Sequence, residues 1–177
     1  MHEILMPAAV WHRVLCCATL LLLLEGISGC AQSKDVVVPA RPTYTGKVAF
    51  PALPPGAGAI AQDAPQQFTQ TATGLRYRIL RVGKGAMPMG TDTVKVNYRG
   101  WLDGGKVFDS SYDRNEPISF PLDGVIKGWT EGLQYVREGG MIELEVPASL
   151  GYGDRGMPGA IPCGATLHFL VELLKIE

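Results

Sequence analysis

The chain has 177 residues, enough for one domain of ordinary size and a tail. Its 16 Lys and Arg against 17 Asp and Glu leave a formal charge of −1 with no basic run, which argues against electrostatic capture of nucleic acid. Twenty-two Gly and 13 Pro imply many turns and at least one open segment.

An export signal comes first. Residues 14–24 form an uninterrupted apolar run behind Arg13. Its length fits the core of a signal peptide and falls short of the ~20 residues that span a bilayer. Ile27-Ser28-Gly29-Cys30 follows. Small residues before a Cys at this place resemble the bacterial lipoprotein box, where the signal is cut before the Cys and acyl chains are attached to it. Residues 1–29 are then the signal peptide, with translation starting at Met1 or Met6, and Cys30 is the lipidated first residue of the mature protein. The expected location is a bacterial cell-envelope membrane, the outer one in a two-membrane organism, because Ala31 rather than Asp follows the Cys. An ordinary signal peptide with an incidental Cys is the alternative. Without residues 1–30, Arg13, Glu3 and Glu25 are lost, and 15 charges of each sign remain.

Residues 30–73 read as a flexible tether. Val36-Val37-Val38-Pro39 and Phe50-Pro51-Ala52-Leu53-Pro54-Pro55-Gly56 mix Pro, Ala and Gly with no helical or strand period. Such a segment buries too little apolar area to offset the entropy of ordering it. A short strand or helical turn is expected near Phe68.

The folded domain is expected over residues 74–177. Leu75, Tyr77 and Ile79 alternate with Arg76, Arg78 and Leu80, as in a half-buried strand. Residues 93–99 alternate more cleanly, with Val94, Val96 and Tyr98 on one face. Asp103-Gly104-Gly105-Lys106 supplies turn chemistry before Val107 and Phe108, which predicts a hairpin. Residues 128–136 place Trp129, Leu133 and Val136 at i, i+4 and i+7 and read as the one helix, ended by Gly139-Gly140. Ile142, Leu144 and Val146 alternate with Glu143 and Glu145. Residues 166–176 form the last strand, with Leu167, Phe169, Val171 and Leu173 on one face. Strands around one short helix predict an α+β fold, a curved antiparallel sheet wrapped over that helix.

The common catalytic signatures are missing: G-x-S-x-G, H-E-x-x-H, a Walker loop and a dinucleotide fingerprint. There is no C-x-x-C pair and no Cys/His cluster at zinc-site spacing, so neither a metal nor a cofactor is expected. His168 should point away from the Leu167/Phe169 face and reads as structural or exposed. What remains is a set of aromatic and apolar residues near loops: Tyr98, Phe108, Phe120, Val125, Ile126, Trp129, Tyr152 and Phe169. Each alone is an ordinary core residue.

Their setting is more specific. Val96-Asn97-Tyr98-Arg99-Gly100 precedes Asp103-Gly104-Gly105-Lys106-Val107-Phe108-Asp109-Ser110-Ser111. Then come Val125-Ile126-Lys127-Gly128-Trp129-Thr130-Glu131-Gly132-Leu133, Gly151-Tyr152-Gly153, Ile161-Pro162, Ala165-Thr166-Leu167 and Phe169-Leu170-Val171-Glu172-Leu173-Leu174. In this order the set closely resembles the FKBP-type peptidyl-prolyl cis–trans isomerases over essentially all of residues 74–177. Gly74-Leu75-Arg76-Tyr77 looks like the envelope members of that family, including the macrophage-infectivity-potentiator group.

The resemblance implies the FKBP half-barrel and isomerisation of X-Pro bonds in proteins folding in the envelope. It implies proline-containing segments as partners and macrolides (tacrolimus, rapamycin) as ligands. It also implies roles. Trp129 is the floor under the prolyl ring, and Tyr98, Phe108, Phe120, Val125 and Phe169 are walls, with Ile161 among the substrate-binding residues. The Ile126 backbone N–H donates to a substrate carbonyl and the Tyr152 phenol to another. Asp109 is the polar residue facing the twisting amide; its own residue-level alternative is a turn cap before Ser110-Ser111. Ile118 stands where an aromatic is common, Leu150 replaces a frequent Tyr and Ala160 a larger apolar residue, departures that bear on macrolide affinity and substrate preference. The helical dimerisation arm of some envelope relatives has no counterpart in so Pro- and Gly-rich a tether, so a monomer is expected. The rival function is a non-catalytic chaperone, binding module or surface virulence factor using the same pocket.

Overall fold

In the computed structural model, residues 46–177 are described. The expected signal peptide, Cys30 and the first part of the expected tether lie outside the described residues. The strands are β1 (Thr69–Gln70), β2 (Arg76–Arg81), β3 (Thr93–Leu102), β4 (Val107–Ser110), β5 (Ile118–Pro121), β6 (Met141–Val146) and β7 (Leu167–Ile176). A single helical turn, α1 (Ser111–Arg114), precedes β5, and α2 (Lys127–Gly132) follows it. The sheet order is β1-β2-β6-β7-β3-β4, with every pairing antiparallel. β5 shares the free edge of β3 with β4, pairing with residues 93–96 while β4 pairs with residues 99–101.

Period-two alternation builds the inner face. Val94, Val96 and Tyr98 of β3, Ile142, Leu144 and Val146 of β6, and Leu167, Phe169, Val171 and Leu173 of β7 form one buried cluster. Trp129, Leu133 and Val136 complete it from the helical side. The expected helix over residues 128–136 is six residues of α-helix continued by a 3-10 turn at Leu133–Tyr135. Gly128 brings α2 against the sheet: a Cβ there would lie 2.5 Å from Val146 Cγ1. The sheet therefore curves over α2 as the α+β reading expects.

The outer face departs from expectation. Residues 48–70, expected as free tether, form a strap across it. Phe50 and Ile60 pack against Leu80, Met141, Leu170 and Trp101 in a second, smaller core. Beneath the strap, Arg78 is fully buried and donates from Nε to Glu143 Oε2 at 2.7 Å. Its Nη1 donates to the carbonyls of Val48 at 2.8 Å and Gln66 at 3.2 Å, and its Nη2 to that of Ala49 at 2.8 Å. The rings of Phe50 and Phe68 lie 4.8 and 4.6 Å from its guanidinium. The strap is ordered because it supplies what a buried arginine on an open sheet face lacks: acceptors and apolar cover. His168 does point outward, stacked on Trp101 with its Nε2 2.7 Å from Asp103 Oδ1. Among the described residues no helix is long and apolar enough to cross a membrane.

Candidate active site

At one end of the inner face, the sheet and α2 diverge and leave a cup of about 450 Å³. Tyr98, Phe108, Phe120, Val125, Ile126, Trp129 and Phe169 line it, with Asp109 and Tyr152 as the polar residues expected there. Trp129, in the first turn of α2 and only 5% exposed, is central to the aromatic cluster. Tyr98 and Phe169 meet it edge-on, with centroids 5.2 and 5.1 Å away, and Phe120 tilts against it at 5.3 Å. Phe108 packs edge-on to Phe169 at 5.6 Å. Edge-to-face packing of this kind fixes ring positions as well as excluding water. It depends on Gly100, where a Cβ would lie 2.6 Å from Phe108 and 2.8 Å from Phe169. The Trp129 indole N–H is buried without a partner, the one such side-chain atom among the described residues, so this ring carries an unmet donor.

Polar groups gather at one side of the cup. Asp109 lies within β4, opposite Gly100, and accepts from the Tyr98 hydroxyl and, at 2.5 Å, from Arg114 Nη1. Arg114 Nη2 also donates to the Tyr98 oxygen at 3.0 Å. Partial burial pushes the Asp109 carboxyl up, but the hydrogen bonds from Tyr98 and Arg114 and the guanidinium charge outweigh it and hold the carboxyl below the ordinary range. Burial first, and then the bond to Asp109, push the Tyr98 phenol up to about 12. Tyr152 is raised by burial and by the Asp109 charge. At neutral pH the cup thus presents a tied carboxylate and neutral phenols. Ser110 caps α1, its hydroxyl accepting from Asp113 N–H at 3.2 Å, and the Asp109 carboxylate also accepts from the Ser110 backbone.

Ile126 is the N-cap residue of α2, and its carbonyl accepts from Trp129 and Thr130 N–H at 2.9 and 3.1 Å. An amide N–H at a helix start has no intrahelical acceptor, which suits the expected donor role. Ile161 is buried, bridged to Met157, and belongs to the same apolar cluster as Tyr98, Trp129 and Phe169. Ile118 and Gly124 line the cup in addition. Arg114 was missed because α1 is a single turn, too short to show a period. The available signal was Ser110 and Asn115 bracketing it, an N-cap and a left-handed C-cap.

The arrangement contains no nucleophile paired with a base. It offers an apolar, aromatic floor and hydrogen-bonding groups at its edge. Among the described residues no cluster of three or more His, Cys, Asp or Glu could hold a metal ion.

The family described as FKBP-type peptidyl-prolyl cis-trans isomerase matches residues 84–174. A similar protein of Escherichia coli K12, "FKBP-type peptidyl-prolyl cis-trans isomerase FkpA", is 54% identical over 107 residues, covering 60% of this chain and 39% of that protein. "Peptidyl-prolyl cis-trans isomerase Mip" of Coxiella burnetii is 46% identical over 106 residues, covering 60% of this chain and 46% of its own length. The chain thus spans less than half the length of either relative. The crystal structure of FkpA from Escherichia coli superposes with a TM-score of 0.61 at 52% identity, over 62% of this chain and 51% of that one. Because the family match spans more than half of the chain and includes every residue of the cup, the chain belongs to the FKBP-type peptidyl-prolyl cis–trans isomerase family.

Proposed function

We propose that this chain catalyses cis–trans rotation about X-Pro bonds of polypeptides folding in the bacterial cell envelope. The supporting observation is the aromatic cup around Trp129 with the Asp109–Tyr98–Arg114 cluster at its side. Amide resonance opposes rotation with a barrier of ~18–20 kcal/mol. Before Pro the two isomers differ by only about 1 kcal/mol, yet they exchange over tens to hundreds of seconds. The twisted amide has lost resonance and much of its charge separation, while water favours the planar, more polar ground state. A dry cup lowers the barrier by removing that water, with no covalent step. The prolyl ring sits on Trp129 between Tyr98, Phe108, Phe120, Val125 and Phe169. Ile126 N–H and the Tyr152 phenol hold flanking carbonyls, and Asp109 faces the twisting bond. Macrolides such as tacrolimus and rapamycin occupy the same cup.

A protease-coupled assay of the mature chain on a short X-Pro peptide should show accelerated cis-to-trans conversion that tacrolimus suppresses. Peptide binding without acceleration would replace the enzyme by a non-catalytic binding module.

The proposed setting is a lipid-anchored monomer, supported by Ile27-Ser28-Gly29-Cys30 after the apolar run. With the strap docked from Val48, residues 31–47 separate Cys30 from it, a stretch of chain that can span at most roughly 60 Å. Wild-type protein should take up radiolabelled palmitate and pellet with membranes, and Cys30→Ser should do neither. An unlabelled wild type recovered in the supernatant would remove the anchor and leave the isomerase reading standing.

A further inference from the structure

Glu172 lies within β7 on the outer face of the sheet, only 4% exposed. Three separate elements donate to its carboxylate. The strap contributes Gly58 N–H at 3.0 Å, β2 contributes Arg81 Nη2 at 2.7 Å, and α1 contributes the Tyr112 hydroxyl. Tyr112 is itself buried, and its bond to a carboxylate is of the strong, charge-assisted kind.

Tyr112 and Arg114 are two apart on the same four-residue turn. Side chains at that spacing do not share a face. Tyr112 accordingly reaches Glu172 on the outer face, while Arg114 reaches Asp109 and Tyr98 beside the cup. A helix of one turn has too little internal bonding to hold its own orientation. Its anchors set where Arg114 points. One anchor is Ser111 Oγ, which accepts from Tyr98 N–H at 2.8 Å and donates to Asn97 Oδ1 at 3.0 Å. The other is the Tyr112–Glu172 bond.

We propose that Tyr112 and Glu172 are positioning residues for the isomerase site: they fix α1 so that Arg114 holds Asp109 and Tyr98 beside the cup, and they tie that geometry to the strap at Gly58. The inference rests on the isomerase reading above. It links the two faces of the sheet, since the carboxylate that receives the strap also receives the turn carrying the Asp109 clamp.

The test uses the full mature chain and Tyr112→Phe, which keeps the ring and removes only the hydroxyl. At a temperature where both proteins are fully folded, turnover on a short X-Pro peptide should fall about fivefold, the size of an ordinary side-chain coupling. The loss should appear in kcat more than in KM. Combining Tyr112→Phe with Arg114→Ala should give a protein no slower than Arg114→Ala alone, because the tyrosine acts through that arginine. A purely structural role would lower the melting temperature and leave the turnover of the folded protein unchanged, and a loss of turnover by a route other than Arg114 would make the two losses multiply. A second readout is independent of activity. In wild type the clamped Arg114 guanidinium should give separate ¹⁵N NMR signals for its two Nη groups, and these should merge in Tyr112→Phe. Glu172→Gln should behave like Tyr112→Phe; if it does not fold, the tyrosine variant decides. Unchanged turnover with unchanged Nη signals in Tyr112→Phe would overturn the inference. A wild type without turnover would remove the isomerase reading, and the Nη signals would still show whether Tyr112 holds Arg114.

Discussion

Asp109→Ala is expected to lower turnover on a short X-Pro peptide by about tenfold or more, the loss that follows removal of a hydrogen bond to a charged group. The melting temperature should stay within about 4 °C of wild type, because an exposed ion pair contributes little stability. The Asp109 and Arg114 side chains are 42% and 46% exposed, so the pair is of that kind. What the substitution removes is functional geometry. The Tyr98 hydroxyl loses its acceptor, and the Arg114 guanidinium loses the partner that holds it beside the cup. Tyr152→Phe should produce a smaller loss with the same thermal stability, since it deletes one hydroxyl at the rim. The pH dependence has a definite sign. Asp109 is held below its ordinary value, so its contribution is present above the unfolded-state value of about 4 and is lost only as the pH falls through its lower folded value. Tyr98 stays neutral up to about 12. Turnover should therefore be flat across the neutral range. If both variants keep wild-type turnover, or if a titration near neutral pH governs the rate, these assignments fail.

How far the sequence could be read depended on whether a feature was local. Val94, Val96 and Tyr98 alternate along one strand, so their shared inward face was visible before any pairing was known. The helix carrying Trp129 was visible from i, i+4 spacing, though its last turn tightens to 3-10 geometry. The cup residues come from separated segments, and only the ordered motif set linked them. Ile161 sits in the same buried cluster as Tyr98, Trp129 and Phe169, a partnership that its place in the motif does not itself reveal. The strap was invisible for a different reason. Phe50, Ile60 and the carbonyls of Val48 and Ala49 are ordered by partners on β2, β6 and β7, distant in sequence. A Pro- and Gly-rich segment with no period reads as coil unless the surface that receives it is known. The clue was in the receiving strands: Arg78, Glu143 and Glu172 alternate with core residues on faces that an open sheet would leave in water.

The receiving face leads to the largest expected loss of stability. Arg78→Met should destabilise the protein by about 3–5 kcal/mol, the cost of breaking a buried ion pair by removing one partner. Met retains much of the apolar volume but supplies no donor. Glu143 would lose its bond from Arg78 Nε, and the carbonyls of Val48, Ala49 and Gln66 would lose their guanidinium donors. Phe50 and Phe68 would lose the cation they flank. Burial already pushes the Glu143 carboxyl up, against the opposing pull of Arg78. Without Arg78 it should rise further. A group whose folded value lies above its unfolded one costs nothing below the unfolded value and costs progressively more as the pH rises toward and through the folded value. The deficit of Arg78→Met should therefore be smaller near pH 4, where only the lost carbonyl and ring contacts count, than at neutral pH, where the stranded Glu143 carboxylate adds to it. Urea denaturation at several pH values would measure it, and limited proteolysis would report cleavage within residues 48–66. Adding Glu143→Leu should restore part of the loss, because an apolar pair of similar volume replaces the stranded carboxylate. If Arg78→Met unfolds at the wild-type urea midpoint at every pH while the strap becomes cleavable, strap and sheet are energetically separate and the Arg78 network contributes nothing to holding the fold. If the midpoint falls and the strap is cleaved in parallel, the outer face is a second core that the fold requires.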